Sequence, residues 1–78
     1  MDWREYIEQR PEVMMGKPVI KGTRLTAEFI LERLGDGWSA QALMESFPEF
    51  QPEQIQATQA YAAAWLALDE TLFHKTGT

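Results

Sequence analysis

Residues that break helices are concentrated in one early stretch of the chain. Pro11, Gly16, Pro18 and Gly22 fall within residues 11–22. They argue against a helix there, because proline lacks an amide donor and glycine loses more backbone entropy in a helix than other residues. The short apolar runs between them predict two extended segments joined by a turn at residues 16–17. The remainder of the chain must therefore carry the helices.

Three helices are predicted after this stretch. Thr26 is expected to cap the first, which continues with apolar residues at helical spacing. Ser39 is expected to cap the second, and Pro48 to end it. The third begins at Pro52, where the missing amide donor costs nothing, and is predicted to reach about Lys75. The chain is thus predicted to be a mostly α single domain over residues 1–78, with an extended arm containing short strands at 1–25 and a three-helix core at 26–75.

The predicted third helix is apolar on more than one side. One stripe consists of Ile55, Thr58, Ala62 and Leu66, and a second, displaced around the axis, consists of Tyr61, Trp65, Leu68 and Leu72. Such a helix is either buried more deeply than a three-helix core allows or contacts another chain. We favour a partner surface over a wholly intramolecular core. The residues expected there are Tyr61, Trp65, Leu68, Leu72 and Phe73.

The small size of the chain favours association. In a domain of 78 residues, apolar burial only narrowly outweighs conformational entropy, so a disulfide, a metal or a partner chain often completes the fold. The chain has no cysteine and a single histidine, His74. Neither a disulfide nor a closed zinc site of the usual kind is expected. We therefore predict a homodimer.

Charge and hydropathy limit the partners and the location. The formal net charge is −5, which argues against a general nucleic-acid binder because phosphate contacts require lysine or arginine. Six of the seven basic residues precede residue 34, and residues 34–74 contain none. The charged N-terminus leads into no apolar run long enough for a signal peptide, and the longest apolar stretch cannot cross a bilayer. We expect a cytoplasmic protein without membrane contact.

No enzymatic activity, metal or cofactor is expected. His74 has no cysteine or serine nucleophile near it in sequence, and its predicted place at a helix end favours an interaction with the helix dipole. Glu28, Glu32 and Asp36 recur every four residues, which suggests metal binding. However, a solvated helix face produces the same spacing, Arg33 lies beside them, and no histidine accompanies them.

One longer motif resembles a known family. The stretch GKPVIKGTRL at residues 16–25 is its most specific part, with weaker support from residues 37–39, 47–48 and 60–62. On these residues the chain resembles domain-of-unknown-function family 433, helix-turn-helix-like proteins regarded as antitoxins of VapB type. Two positions depart from the family pattern. Met15 replaces a usual second glycine, and Gln51 replaces the threonine or serine that usually caps the third helix.

The resemblance implies a fold and a partner. The implied fold is a homeodomain-like three-helix bundle of helix-turn-helix type with a short N-terminal β-arm or hairpin. The arm is expected to pair between protomers, which places Val19 and Ile20 at an interface. The implied partner is a toxin resembling PIN-type ribonucleases.

A helix-turn-helix layout also raises DNA binding, because it directs the start of the third helix toward the major groove. The candidate DNA contacts are Gln54 and Gln56 for bases, and Lys17, Lys21 and Arg24 for phosphates. Alternatively, the lysines only solubilise an edge strand and Arg24 braces the first helix through Glu28. We rank toxin neutralisation first, an operator-binding regulator second and a structural dimerisation module third.

Overall fold

A short N-terminal hairpin and three helices make up the fold of the computed structural model, which describes residues 1–68. The elements are β1 (Ile7–Glu8), β2 (Val19–Ile20), α1 (Ala27–Gly35), α2 (Ala40–Ser46) and α3 (Pro52–Ala67). The predicted fold class, a mostly α three-helix bundle with an N-terminal hairpin, is confirmed. The end of the predicted third helix, with Leu72, Phe73 and His74, lies outside the described residues.

The hairpin forms within one chain. β1 pairs antiparallel with β2, with Ile7 opposite Ile20, and Val19 makes a further bridge to Thr26. The side chains of Val19 and Ile20 are completely buried. Val19 and Ile20, which were predicted at an interface between protomers, therefore pack inside the chain that carries them. Their strand is already paired with the start of the same chain, and their side chains lie in its interior.

The loop between the two strands contains a left-handed turn at Met14–Gly16. The prediction of an extended segment directly before residues 16–17 is therefore wrong, and the strand that pairs with β2 is Ile7–Glu8. Met14, Met15 and Gly16 have φ of +48°, +56° and +81°, a conformation that disfavours residues with a Cβ atom. The Gly16 amide donates to the Val13 carbonyl at 3.0 Å. The Gln9 side-chain amide donates to the Gly16 carbonyl at 3.1 Å. Hydrogen bonds thus fix the turn. Met15 has a φ that glycine adopts at little cost, and this is a physical reason for the glycine that is usual at its position in the family that the chain resembles.

Local side-chain and backbone bonds define the helix ends. Thr26 Oγ1 accepts from the Phe29 amide at 3.0 Å and Ser39 Oγ from the Ala42 amide at 3.0 Å, so both predicted caps are confirmed. At the start of α3, the Gln51 amide donates to Gln54 Oε1 at 2.7 Å. This is half of a capping box. The Gln54 side chain thus supplies this bond, and the Gln51 side chain forms no cap hydrogen bond of its own.

The end of α1 is a Schellman motif. The Gly37 amide donates to the Leu34 carbonyl at 3.1 Å, and the Trp38 amide to the Arg33 carbonyl at 3.0 Å. Gly37 has φ of +96°, as this motif requires. This motif ends α1 and turns the chain toward α2.

The core lies between the hairpin and the three helices, and α3 contacts β1, α1 and α2. Its buried apolar residues are Ile7, Ile20, Ala27, Ile30, Leu43, Phe50, Ile55, Ala57 and Tyr61. The one buried polar residue of α3, Thr58, donates its hydroxyl to the Gln54 carbonyl at 3.0 Å. Over residues 1–68, the helices fall short of the length and apolar character needed to cross a bilayer.

Candidate protein-docking surface

Helix α3 leaves the core before it ends. In its first half Ile55 and Thr58 are buried. In its last turns, Trp65, Leu66 and Leu68 are 55%, 56% and 76% exposed. Both predicted apolar stripes therefore continue beyond the core. The predicted surplus of apolar surface is present at the end of α3.

The N-terminal turn builds a wall beside this helix end. Residues Trp3–Glu5 form one 3₁₀ turn, in which Asp2 Oδ1 accepts from the Arg4 amide at 3.1 Å. The turn places the Trp3 ring edge-on to Tyr61, with centroids 4.8 Å apart. Tyr61 in turn lies edge-on to Trp65, with centroids 6.2 Å apart. The three rings form a continuous aromatic row from the chain start to α3.

An open groove of about 250 Å³ follows this row. Its lining residues are Trp3, Arg4, Gln9, Tyr61, Ala64, Trp65 and Leu68. We call it the tryptophan groove. The Arg4 guanidinium lies 4.8 Å from the centroid of the Trp3 ring, and its side chain is exposed. The same guanidinium lies 3.7 Å from Asp2 Oδ1. The groove therefore offers apolar walls with an exposed ion pair at the edge, which suits an apolar anchor residue.

The helix that carries the groove has no charge over four turns. Residues 54–68 contain no lysine, arginine, aspartate or glutamate. A surface helix ordinarily carries charged residues on its outer face. Depletion of charge together with tryptophan and tyrosine is typical of the buried centre of protein interfaces. The composition of α3 thus resembles that of the buried centre of a protein interface.

The sequence identified only one side of this groove. Trp65 and Leu68 were predicted at a partner surface, and the structure leaves both exposed there, whereas Tyr61 is buried and forms the floor. Trp3 and Arg4 were not singled out. An isolated tryptophan in a charged N-terminus gives no pattern that relates it to a helix more than fifty residues later.

The basic residues predicted to contact DNA phosphates differ in whether they are already paired within the chain. Lys17 Nζ lies 2.9 Å from Glu28 Oε1. Glu28 therefore pairs with Lys17 and not with Arg24, the alternative partner that helical spacing suggested. Lys21 and Arg24 are exposed, and neither forms an ion pair with another residue in the 1–68 range.

The two glutamines at the start of α3 differ in availability. Gln54 uses its amide oxygen for the Gln51 cap, and bidentate pairing with adenine needs both the oxygen and the nitrogen of that amide. Gln56 is exposed. Of the base-reading pair, only Gln56 presents a free amide oxygen to solvent.

Acidic residues do not gather into a metal site over the part of the chain that the structure describes. No group of three or more histidine, cysteine, aspartate or glutamate side chains is positioned there to hold a metal ion. Glu28, part of the carboxylate pattern on α1, is engaged by Lys17 instead.

Comparison with known proteins identifies a family but not an activity. The family model described as "Protein of unknown function (DUF433)" matches residues 7–62. The chain is similar to "Uncharacterized protein y4eO" of Sinorhizobium fredii (strain NBRC 101917 / NGR234), with 30% identity over 61 residues. That match covers 78% of this chain but only 28% of the relative's length. No solved structure matches the chain.

Proposed function

This chain belongs to the DUF433 family, and we propose that it is a non-enzymatic, antitoxin-like binding protein that neutralises a PIN-like ribonuclease. The observation that carries the proposal is the tryptophan groove, with Trp65 and Leu68 exposed at the end of the uncharged stretch 54–68. The identity of the partner as a toxin rests on the family resemblance. The choice of the groove as the contact surface is argued from the structure.

The groove has the features of a binding hot spot. Tryptophan, tyrosine and arginine are the residue types that contribute most to protein interfaces when they are enclosed by a partner, and Trp3, Arg4, Tyr61 and Trp65 supply all three types. Because the aromatic row connects the groove to the core through Tyr61, the anchors are held by packing before a partner arrives. Such preorganisation lowers the entropic cost of binding.

The charge of the chain also suits this partner. A ribonuclease must present a positive surface to hold RNA, and this chain carries a net charge of −5. Complementary charge accelerates association and favours the correct partner. The apolar walls of the groove would then supply the apolar contact, while acidic residues elsewhere on the surface face the nuclease's basic rim.

Co-expression with the product of the adjacent gene, where it encodes a PIN-like protein, tests the proposal. We expect wild-type protein to relieve growth arrest and to co-purify with the nuclease. Leu68→Ser, which removes an apolar side chain from the groove, should weaken the complex about tenfold or more. Leu66→Ser is the matched control, because Leu66 is also exposed on α3 but does not line the groove.

Two results would contradict the proposal. If neither a stable complex nor relief of toxicity is observed, the chain does not neutralise that nuclease. If Leu68→Ser and Leu66→Ser weaken the complex equally, the groove is not the contact surface. We do not extend the proposal to operator DNA, since Lys17 and Gln54 are engaged within the chain.

A further inference from the structure

The face that carries the tryptophan groove also carries side chains that project beside the groove. Trp65 and Leu68 line the groove and are also among the most exposed apolar side chains of α3. A two-fold symmetric contact brings the same patch of two copies together, so that patch must be complementary to itself. A face on which projecting residues lie beside an apolar depression meets this requirement.

Charge restricts where two copies of this chain can meet. Each copy carries a net charge of −5, so most orientations bring like charges together. The stretch 54–68 contains no charged residue, so its side chains add no charge repulsion to a contact between two copies. Within it, Ala60, Ala64 and Ala67 have short side chains, which allow close approach of a second helix.

The hairpin is not available for the same purpose. β2 is paired with β1 of its own chain, and Val19 and Ile20 are buried. An interface that uses these residues would require the core to open. The small size of the domain favours association, and we therefore expect the contact at the exposed end of α3 and not at the hairpin.

We infer that a second copy of this chain occupies the tryptophan groove when no other partner is bound. The ends of the two α3 helices cross about a two-fold axis, and Trp65 and Leu68 of each copy enter the groove of the other. Resting on the proposed function, this arrangement has a consequence: self-association and nuclease binding use one surface and exclude each other. The homodimer is then the state of the protein before it binds a nuclease.

Analytical ultracentrifugation of the full chain alone tests the self-association. Over concentrations from about 1 to about 100 µM, we expect a monomer–dimer equilibrium in the wild type. Leu68→Ser should raise its dissociation constant about tenfold or more, because both copies carry the change. Leu66→Ser should change it by less than about threefold, because Leu66 lies about 100° around the helix axis from Trp65. Circular dichroism and thermal unfolding of both variants establish that they are folded.

The results separate this inference from the proposed function. A wild-type monomer at every concentration, or a dimer equally weakened by both substitutions, overturns the inference and leaves nuclease binding to be judged on its own assay. A dimer that Leu68→Ser alone disrupts supports it, even if no nuclease binds. Where a nuclease does bind, stoichiometric addition should convert the homodimer into a complex containing one copy of this chain per nuclease. A complex that retains the intact homodimer contact overturns the mutual exclusion.

Discussion

Replacement of Met15 by glycine should stabilise the protein. Met15 has φ of +56° and its side chain is 90% exposed, so the substitution relieves backbone strain and removes almost no packing. A left-handed conformation costs a residue with a Cβ atom about 1–2 kcal/mol. Glycine in turn adds about 0.5–1 kcal/mol of backbone entropy to the unfolded chain. The difference spans about 0–1.5 kcal/mol, and the centre of that range predicts a net stabilisation of about 0.5–1 kcal/mol.

This difference is measurable by thermal unfolding. For a domain of this size it corresponds to a rise in Tm of about 2–8 °C. Circular dichroism melts of wild type and Met15→Gly should be recorded at equal protein concentration and repeated after tenfold dilution, because association raises the apparent Tm. Urea unfolding gives the free energy independently.

Two further variants isolate the backbone effect. Met15→Ala keeps the Cβ atom and should stay within about 0.5 kcal/mol of the wild type. Gly16→Ala places a Cβ at φ of +81°, with Pro11 Cα 3.9 Å away in ordinary contact, and should destabilise by about 1–2 kcal/mol. If Met15→Gly were no more stable than the wild type while Met15→Ala remained neutral, the account of strain at this turn would be wrong.

Three other changes test separate parts of the structure. Gly37→Ala should destabilise by about 1–2 kcal/mol in urea melts, since φ is +96° and no atom lies within 4 Å of an added Cβ; an unchanged midpoint would contradict the Schellman geometry. Lys17→Ala should alter stability by less than about 0.5 kcal/mol at low or high salt, because its ion pair with Glu28 is exposed; a larger loss would show that the pair is structural. Deletion of residues 1–8 should abolish helical circular dichroism, because Ile7 lies in the core; a folded truncated chain would refute this.

The helices and their ends were predictable because their signals are local. Thr26 and Ser39 precede helices within hydrogen-bonding reach of the amides that they cap. The turn around Gly37 lies next to the last residues of α1. In each case the residues that determine the structure are adjacent in sequence, so residue type and spacing are sufficient.

The contacts that could not be predicted from the sequence join distant segments. Whether Ile20 pairs with Ile7 of its own chain or with a second copy depends on how the intervening loop folds, and an apolar strand pattern is the same in both cases. Glu28 has a basic residue four positions earlier, Arg24, and another eleven positions earlier, Lys17. The bridge between Val19 of β2 and Thr26, which caps α1, holds the segment that carries Lys17 beside the first turn of α1, where Lys17 pairs with Glu28. Helical spacing alone favours the wrong partner.

The position of the groove relative to the family match separates folding from partner choice. The match covers residues 7–62, which contain every residue of the buried apolar cluster. Trp3, Arg4, Ala64, Trp65 and Leu68 line the groove and lie outside it. Exposed residues tolerate substitution at little cost in folding free energy, so Arg4 and Leu68 are free to change with the partner while the core is kept. Under the proposed function, the family fold thus serves as a support, and the segments on either side of it select the partner.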